Sequence, residues 1–92
     1  MNVEPQVPLS LIGDEVVLDL ATPYVILGKL VGEDHRYLIL QDADVHDLRD
    51  SSTTRELYVL DARRHGINPN RLRVLVSREQ IVSLSAFADV LI

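Results

Sequence analysis

The stretch GKLVGEDHRYLILQDA, residues 28–43, decides how this chain folds. It holds the back half of one apolar strand, an acidic turn, and a second apolar strand that closes on Asp42-Ala43. The first strand in full is YVILGKLVG, residues 24–32, with Gly28 in its middle. A glycine there weakens a strand unless the strand bends sharply or another backbone must come close. A small barrel needs such a bend in order to close. Glu33-Asp34-His35-Arg36 forms the polar connection, and residues 37–41 form the next strand.

Upstream, EVVLDL at residues 15–20 is rich in β-branched residues, and Val17 alternates with Glu15 and Asp19, as a strand requires. Ala21-Thr22-Pro23 turns the chain, the proline ending the ladder. LSLIG, residues 9–13, fits a single helical turn with Pro8 near its start and Gly13 just past its end. Residues 1–8, with Pro5 and Pro8, read as an irregular arm.

Downstream, residues 42–54 are polar and read as a strand end plus loop. The period then changes. Thr53-x-x-Glu56 has the form of a capping box, and the run to His65 contains no breaker. Leu57, Leu60 and Arg64 fall on one helical face with Tyr58 and Ala62 beside it. Arg63, Arg64 and His65 in the last turn suit the helix dipole, and Gly66 follows as a terminating residue. These signals predict a helix over residues 54–65, with a strand as the rival reading because ELYVL is also β-compatible. Residues 67–70 turn, RLRVLVS at 71–77 is a fourth strand, and QIVSLSA at 80–86 is a fifth, with only Arg78-Glu79 between them. The tail, residues 87–92, is apolar. Five short strands joined by tight turns predict a small, strongly curved barrel.

The chain has 92 residues, enough for one domain, and 47% of them are apolar, which argues for a folded globule. A core this small gains from oligomerisation. With no cysteine, disulfides, thiolate metal sites and cysteine nucleophiles are excluded, and a cytoplasmic location is expected. No apolar run is long enough to span a bilayer, and no basic-then-apolar leader opens the chain, so neither a membrane partner nor a signal peptide is expected. The net charge of −5 counts against indiscriminate nucleic-acid binding. The charge is uneven: −7 over residues 1–50 and +2 over residues 51–92. An assembly of such chains would be acidic on one surface and basic on another, although solvated faces of opposite sign explain the same pattern. Three tyrosines and one phenylalanine are a thin supply of stacking surface.

In the order of its elements and motifs the chain resembles the Sm-like (LSm) family. LIGDEVVLDLATPYVILGKLVGEDHRYLILQDA is similar to the family's first signature segment in the mid-strand Gly28, the apolar-then-acidic turn at Gly32-Glu33-Asp34, and the closing Leu40 to Ala43. VLVSREQIVSL, residues 74–84, is similar to the second segment in its apolar spacing. The resemblance implies a mainly β fold: a five-stranded, strongly bent open barrel with a short N-terminal helical turn and a helix inserted between the third and fourth strands. It also implies a homomeric ring, a homo-hexamer or heptamer joined through the fourth and fifth strands, that binds single-stranded RNA or short oligonucleotides at its pore. An open five-stranded barrel supports the ring independently, since two unpaired strand edges invite a second chain.

The chain departs from the family at the residues that would touch RNA. The first turn has no asparagine to read a base edge. Counted back from Asp42-Ala43, Tyr37 takes that position and Glu33 the acidic one; counted forward, Asp34 is the acidic residue. The usual Arg-Gly pair of the second segment is replaced by Ser77-Arg78. RNA binding would therefore use His35, Arg36 and Tyr37 with Arg78, a tyrosine or histidine stacking on a base and the arginines meeting phosphate or a second base face. Each of these residues also has a plain role as a turn or strand-opening residue. Arg63, Arg64, Arg71 and Arg73 offer a second basic patch, whose plain roles are dipole compensation and solubility. The alternative function is a ring-forming scaffold for protein partners without RNA recognition.

Asp42, Asp44 and His46 alternate along a possible strand with Asp47 nearby, but the spacing is common by chance and no calcium loop follows, so no metal is expected. The adjacent acids Asp14-Glu15 and Glu33-Asp34 read as solvated. No phosphate-cradling loop, nucleophile elbow or zinc-helix motif is present, so neither enzymatic activity nor a cofactor is expected.

Overall fold

The computed structural model describes residues 7–92; most of the arm expected over residues 1–8 lies outside the described residues. Five strands, β1 (Glu15–Leu20), β2 (Tyr24–Glu33), β3 (Tyr37–Asp47), β4 (Arg71–Ser77) and β5 (Ile81–Ala86), form one antiparallel sheet in the order β4-β3-β2-β1-β5. One helix, α1 (Arg55–His65), separates β3 from β4, and 3-10 turns occupy Leu9–Leu11, Leu48–Asp50, Arg78–Gln80 and Phe87–Asp89.

This order forces the sheet to curl. β4 and β5 are its opposite edges yet are joined by Arg78–Gln80 alone. In a flat five-stranded sheet those edges would stand about 19 Å apart, whereas the connection reaches about 14 Å even when fully extended. Wound as a 3-10 turn it reaches less. β4 and β5 do not pair with each other, so the barrel stays open.

The bend is built where the sequence placed it. Leu27 pairs with Asp44 and Lys29 with Gln41, so Gly28 alone faces the two residues Asp42 and Ala43. Asp42 takes a left-handed φ of 50°, a conformation that aspartate tolerates better than most residues. The bulge throws β3 toward β2, and a Cβ on Gly28 would lie 3.0 Å from both Cα and Cβ of Ala43.

Both faces of the sheet are covered. Val16, Leu18, Leu20, Ile26, Leu30, Leu38, Leu40, Ala43 and Val76 fill the barrel, joined there by Val7. On the outer face Val17, Val25 and Leu27 pack against Val59 of α1 and against Phe87. That double cover explains the apolar run Tyr24–Gly28 in the first half of β2.

Three details differ from expectation. The helix is capped by Thr54, whose hydroxyl accepts from Leu57 N at 3.2 Å, and not by Thr53. Its buried side is Val59 flanked by Tyr58 and Ala62, while Leu57 is 52% exposed. Apolar residues run from 57 to 60 without a gap, so periodicity could not select the face. β3 runs on to Asp47 because its polar residues find partners in α1 and in the turn before β4, as set out below.

Candidate functional site

The β3–β4 register sets Tyr37 opposite Ser77, and so brings the β2–β3 turn beside the β4–β5 turn. Arg78 N donates to Arg36 O at 2.9 Å, closing the two turns on each other. Within the first turn the Asp34 carboxylate accepts from Arg36 N at 2.8 Å and Tyr37 N at 2.7 Å, while Asp34 N donates to Tyr37 O at 2.9 Å. Asp34 is therefore the acidic residue that shapes the turn. The Arg36 amide first and the Tyr37 amide second hold its carboxyl below the ordinary 3.8, with the neighbouring His35 and Arg78 acting in the same direction.

His35, Arg36, Tyr37 and Arg78, the four residues named from the sequence, line one polar depression of about 370 Å3 together with Ser77 and Glu79. Their states differ. His35 and Arg36 are exposed and Tyr37 is half-buried. Arg78 is turned inward: its Nε donates to Asp34 O at 2.7 Å and its Nη2 pairs with Glu33 Oε1. Glu33 also accepts from Val7 N, at 3.2 and 3.3 Å to its two oxygens. Glu33-Asp34 is thus not the solvated pair it looked in the sequence. Adjacent acids gave no sign that one would bind backbone amides and the other an arginine far along the chain. The missing glycine has no local consequence, because the turn at Arg78–Gln80 is a 3-10 turn and Asp42 is the sole non-glycine with positive φ among the described residues.

The arginines of the second basic set have different surroundings. Arg63 lies over the Phe87 ring at 5.8 Å and lines a groove with Asp14 and Glu15. Arg64 is exposed at the helix end. Arg71 donates to Asn70 O at 3.1 Å, and Arg73 lines a different groove with Val31, Ile39 and Leu72.

Asp42, Asp44, His46 and Asp47 do not converge, and among the described residues no group of three or more potential ligands is placed to hold a metal. Asp44, only 4% exposed, receives the Tyr58 hydroxyl and, at 3.3 Å, Asn70 Nδ2. His46 stacks on Tyr58 with ring centroids 3.9 Å apart and its Nε2 meets Ser51 Oγ at 3.1 Å. Asp47 caps the following 3-10 turn and pairs with Arg49, whose side chain holds the Asp47 carboxyl down at about 2.

This architecture, a bent five-stranded open barrel with both turns gathered at one end, defines the Sm-like fold. No family model matches the sequence, and no curated protein does. Solved structures do match. A Pyrococcus abyssii Sm protein in complex with a uridine heptamer aligns with a TM-score of 0.57 at 15% identity, over 84% of this chain and 87% of that one. A chain of the NatC complex bound to CoA aligns with a TM-score of 0.55 at 19% identity, over 94% and 88%. A chain of the NatC complex bound to Gag peptide and CoA gives 0.53 at 18%, over 83% and 84%. At these identities the likeness establishes the fold.

Proposed function

We propose that copies of this chain join edge to edge into a ring, a homo-hexamer or heptamer, and that the ring binds single-stranded RNA at the paired turns. The observation that carries this reading is the convergence of His35, Arg36, Tyr37 and Arg78 in one depression, on a fold shared with an Sm protein that binds a uridine heptamer. The edges support the ring. Leu72 and Leu75 of β4 are 78% and 48% exposed, and Val82 of β5, skipped in the pairing with β1, is 71% exposed. Unpaired ladders with apolar side chains favour strand addition by another chain, and a β4-to-β5 contact is head-to-tail, the kind that closes into rings.

A second reading has its own support. The acidic charge, the inward-turned Arg78 and the likeness to NatC chains favour a ring or subunit that binds protein partners without RNA recognition. In either case the role is binding rather than catalysis.

Light scattering should give a mass of six to seven chains (roughly 60–70 kDa, from the 10.3 kDa chain), and Val82→Lys should lower it toward the monomer. Labelled oligouridine and oligoadenosine should bind, and more weakly as salt rises. A monomeric mass removes the ring. Absence of oligonucleotide binding at low salt moves the conclusion to the scaffold.

A further inference from the structure

The two arginines of the depression are in different electrostatic states. Arg78 spends two of its three nitrogens on the protein itself, on Glu33 Oε1 and on Asp34 O, and its side chain is 22% exposed. Glu33, with 21% of its side chain exposed, is fixed from the other side by Val7 N. Among the described residues Arg36 makes no side-chain hydrogen bond or ion pair, and it is exposed at the rim of the same depression. The other charges facing the depression do not change this contrast: Asp34 is turned to two backbone amides and Glu79 is an exposed carboxylate. His35 is exposed beside them.

We propose that Glu33 masks Arg78, so that Arg36 is the one cation each copy offers to a phosphate, and Arg78 is a positioning residue that ties the two turns together. The proposal rests on the RNA-binding reading above and deepens it. The physical reason is counterion release. A guanidinium already neutralised by a carboxylate cannot also neutralise a phosphate, so its approach displaces few of the cations condensed on the strand. Taking Arg78 away from Glu33 would also leave a half-buried carboxylate without its partner, which is costly. Arg36 bears neither restraint. Glu79 lines the depression with the two arginines, and Glu33 and Asp34 stand behind Arg78, so contact with the backbone is weak per copy and depends on repetition around the ring.

The test is the slope of log affinity against log salt for labelled oligouridine and oligoadenosine between about 50 and about 200 mM, where each phosphate contacted by a single strand contributes about 0.7. Arg36→Ala should flatten the slope toward zero. Arg78→Ala should weaken binding with the slope unchanged. Glu33→Gln, nearly isosteric and still able to accept from Val7 N, should steepen the slope toward twice the wild-type value as a second cation per copy becomes available. Arg36 is exposed, so its variant folds, and the Arg36/Arg78 comparison decides the matter even if Glu33→Gln melts early. A slope that Arg78→Ala flattens as much as Arg36→Ala, or that a folded Glu33→Gln leaves unchanged, overturns the assignment while RNA binding stands. Wild-type protein that binds neither oligomer at the lowest salt overturns the RNA-binding reading and the assignment with it.

Discussion

Gly28→Val is expected to lower the stability of the fold by more than about 3 kcal/mol, a melting temperature reduced by more than about 12 °C for a domain this small. The cause is space and not backbone dihedral. A Cβ at this position meets Cα and Cβ of Ala43 at 3.0 Å and Gln41 O at 3.3 Å. Ala43 cannot retreat: it is wholly buried, its carbonyl accepts from Asn70 N at 2.9 Å, and it pairs with Arg71 across β3–β4. Its neighbour Asp42 already holds a left-handed φ to make the bulge. Gly28→Ala adds one such atom and should cost about 1–3 kcal/mol; valine adds two methyl groups to the same contact. Gly32→Ala is the control, since its nearest neighbour would be the flexible Ile39 Cδ1 at 3.6 Å. Urea melts of the three variants, with slopes compared to confirm a common unfolding transition, measure this directly. A Gly28→Val protein as stable as the Gly32→Ala control would mean that the bend does not depend on close approach at this residue.

The same glycine shows how much of the fold was legible in the sequence. Its position inside an apolar strand signalled a bend, and the bend is there. β1 and β4 occupy the ranges read from their β-branched runs, and β5 begins one residue late because Gln80 is drawn into the preceding turn. Gly66 ends the helix with φ of 92° and donates to Ala62 O at 2.6 Å, so its role needed only local information. Where a choice depended on distant residues, the sequence was silent. The capping-box pattern pointed to Thr53, and its neighbour Thr54 takes the role. Residues 57 to 60 offered apolar groups on several faces, and docking on β1 and β2 selected Val59. Residues 42–54 read as a strand end plus loop without a boundary between the two, and the strand runs on to Asp47 because Asp44 meets Tyr58 and Asn70, 14 and 26 residues further on. The candidate site followed the same division. Its four side chains were named from the family resemblance, and the β3–β4 register sets their two turns side by side. The partner of Arg78, 45 residues away in an acidic pair, could not be named in advance.

Tyr58→Phe isolates the second large effect, the hydroxyl that joins α1 to β3. The phenylalanine keeps the ring that stacks on His46 with an interplanar angle of 5° and removes only the donor to Asp44. Asp44 is then left in the protein interior with Asn70 Nδ2, at 3.3 Å, as its remaining side-chain donor. An unsatisfied buried acceptor costs about 1–3 kcal/mol, more when charged, so a loss of about 2 kcal/mol and about 10 °C in melting temperature is expected at neutral pH. The effect should depend on pH in a defined direction. Burial first, and the hydrogen bond to Asp44 next, push the Tyr58 phenol above its ordinary value of 10.0. A folded value above the unfolded one means that this contribution is complete below pH 10 and is lost as pH rises through the folded value. The advantage of wild type over Tyr58→Phe in urea midpoints should therefore be constant near neutrality and shrink in the alkaline range. Asp44→Asn, alone and combined with Tyr58→Phe, supplies the cycle that separates the pair from its surroundings. Additive single losses would show that the hydroxyl and the carboxylate are not coupled, and that α1 is held to the barrel by its apolar face, by the Tyr58–His46 stack and by Arg55, which pairs with Asp19 at 3.6 Å and donates to Thr22 O at 3.1 Å.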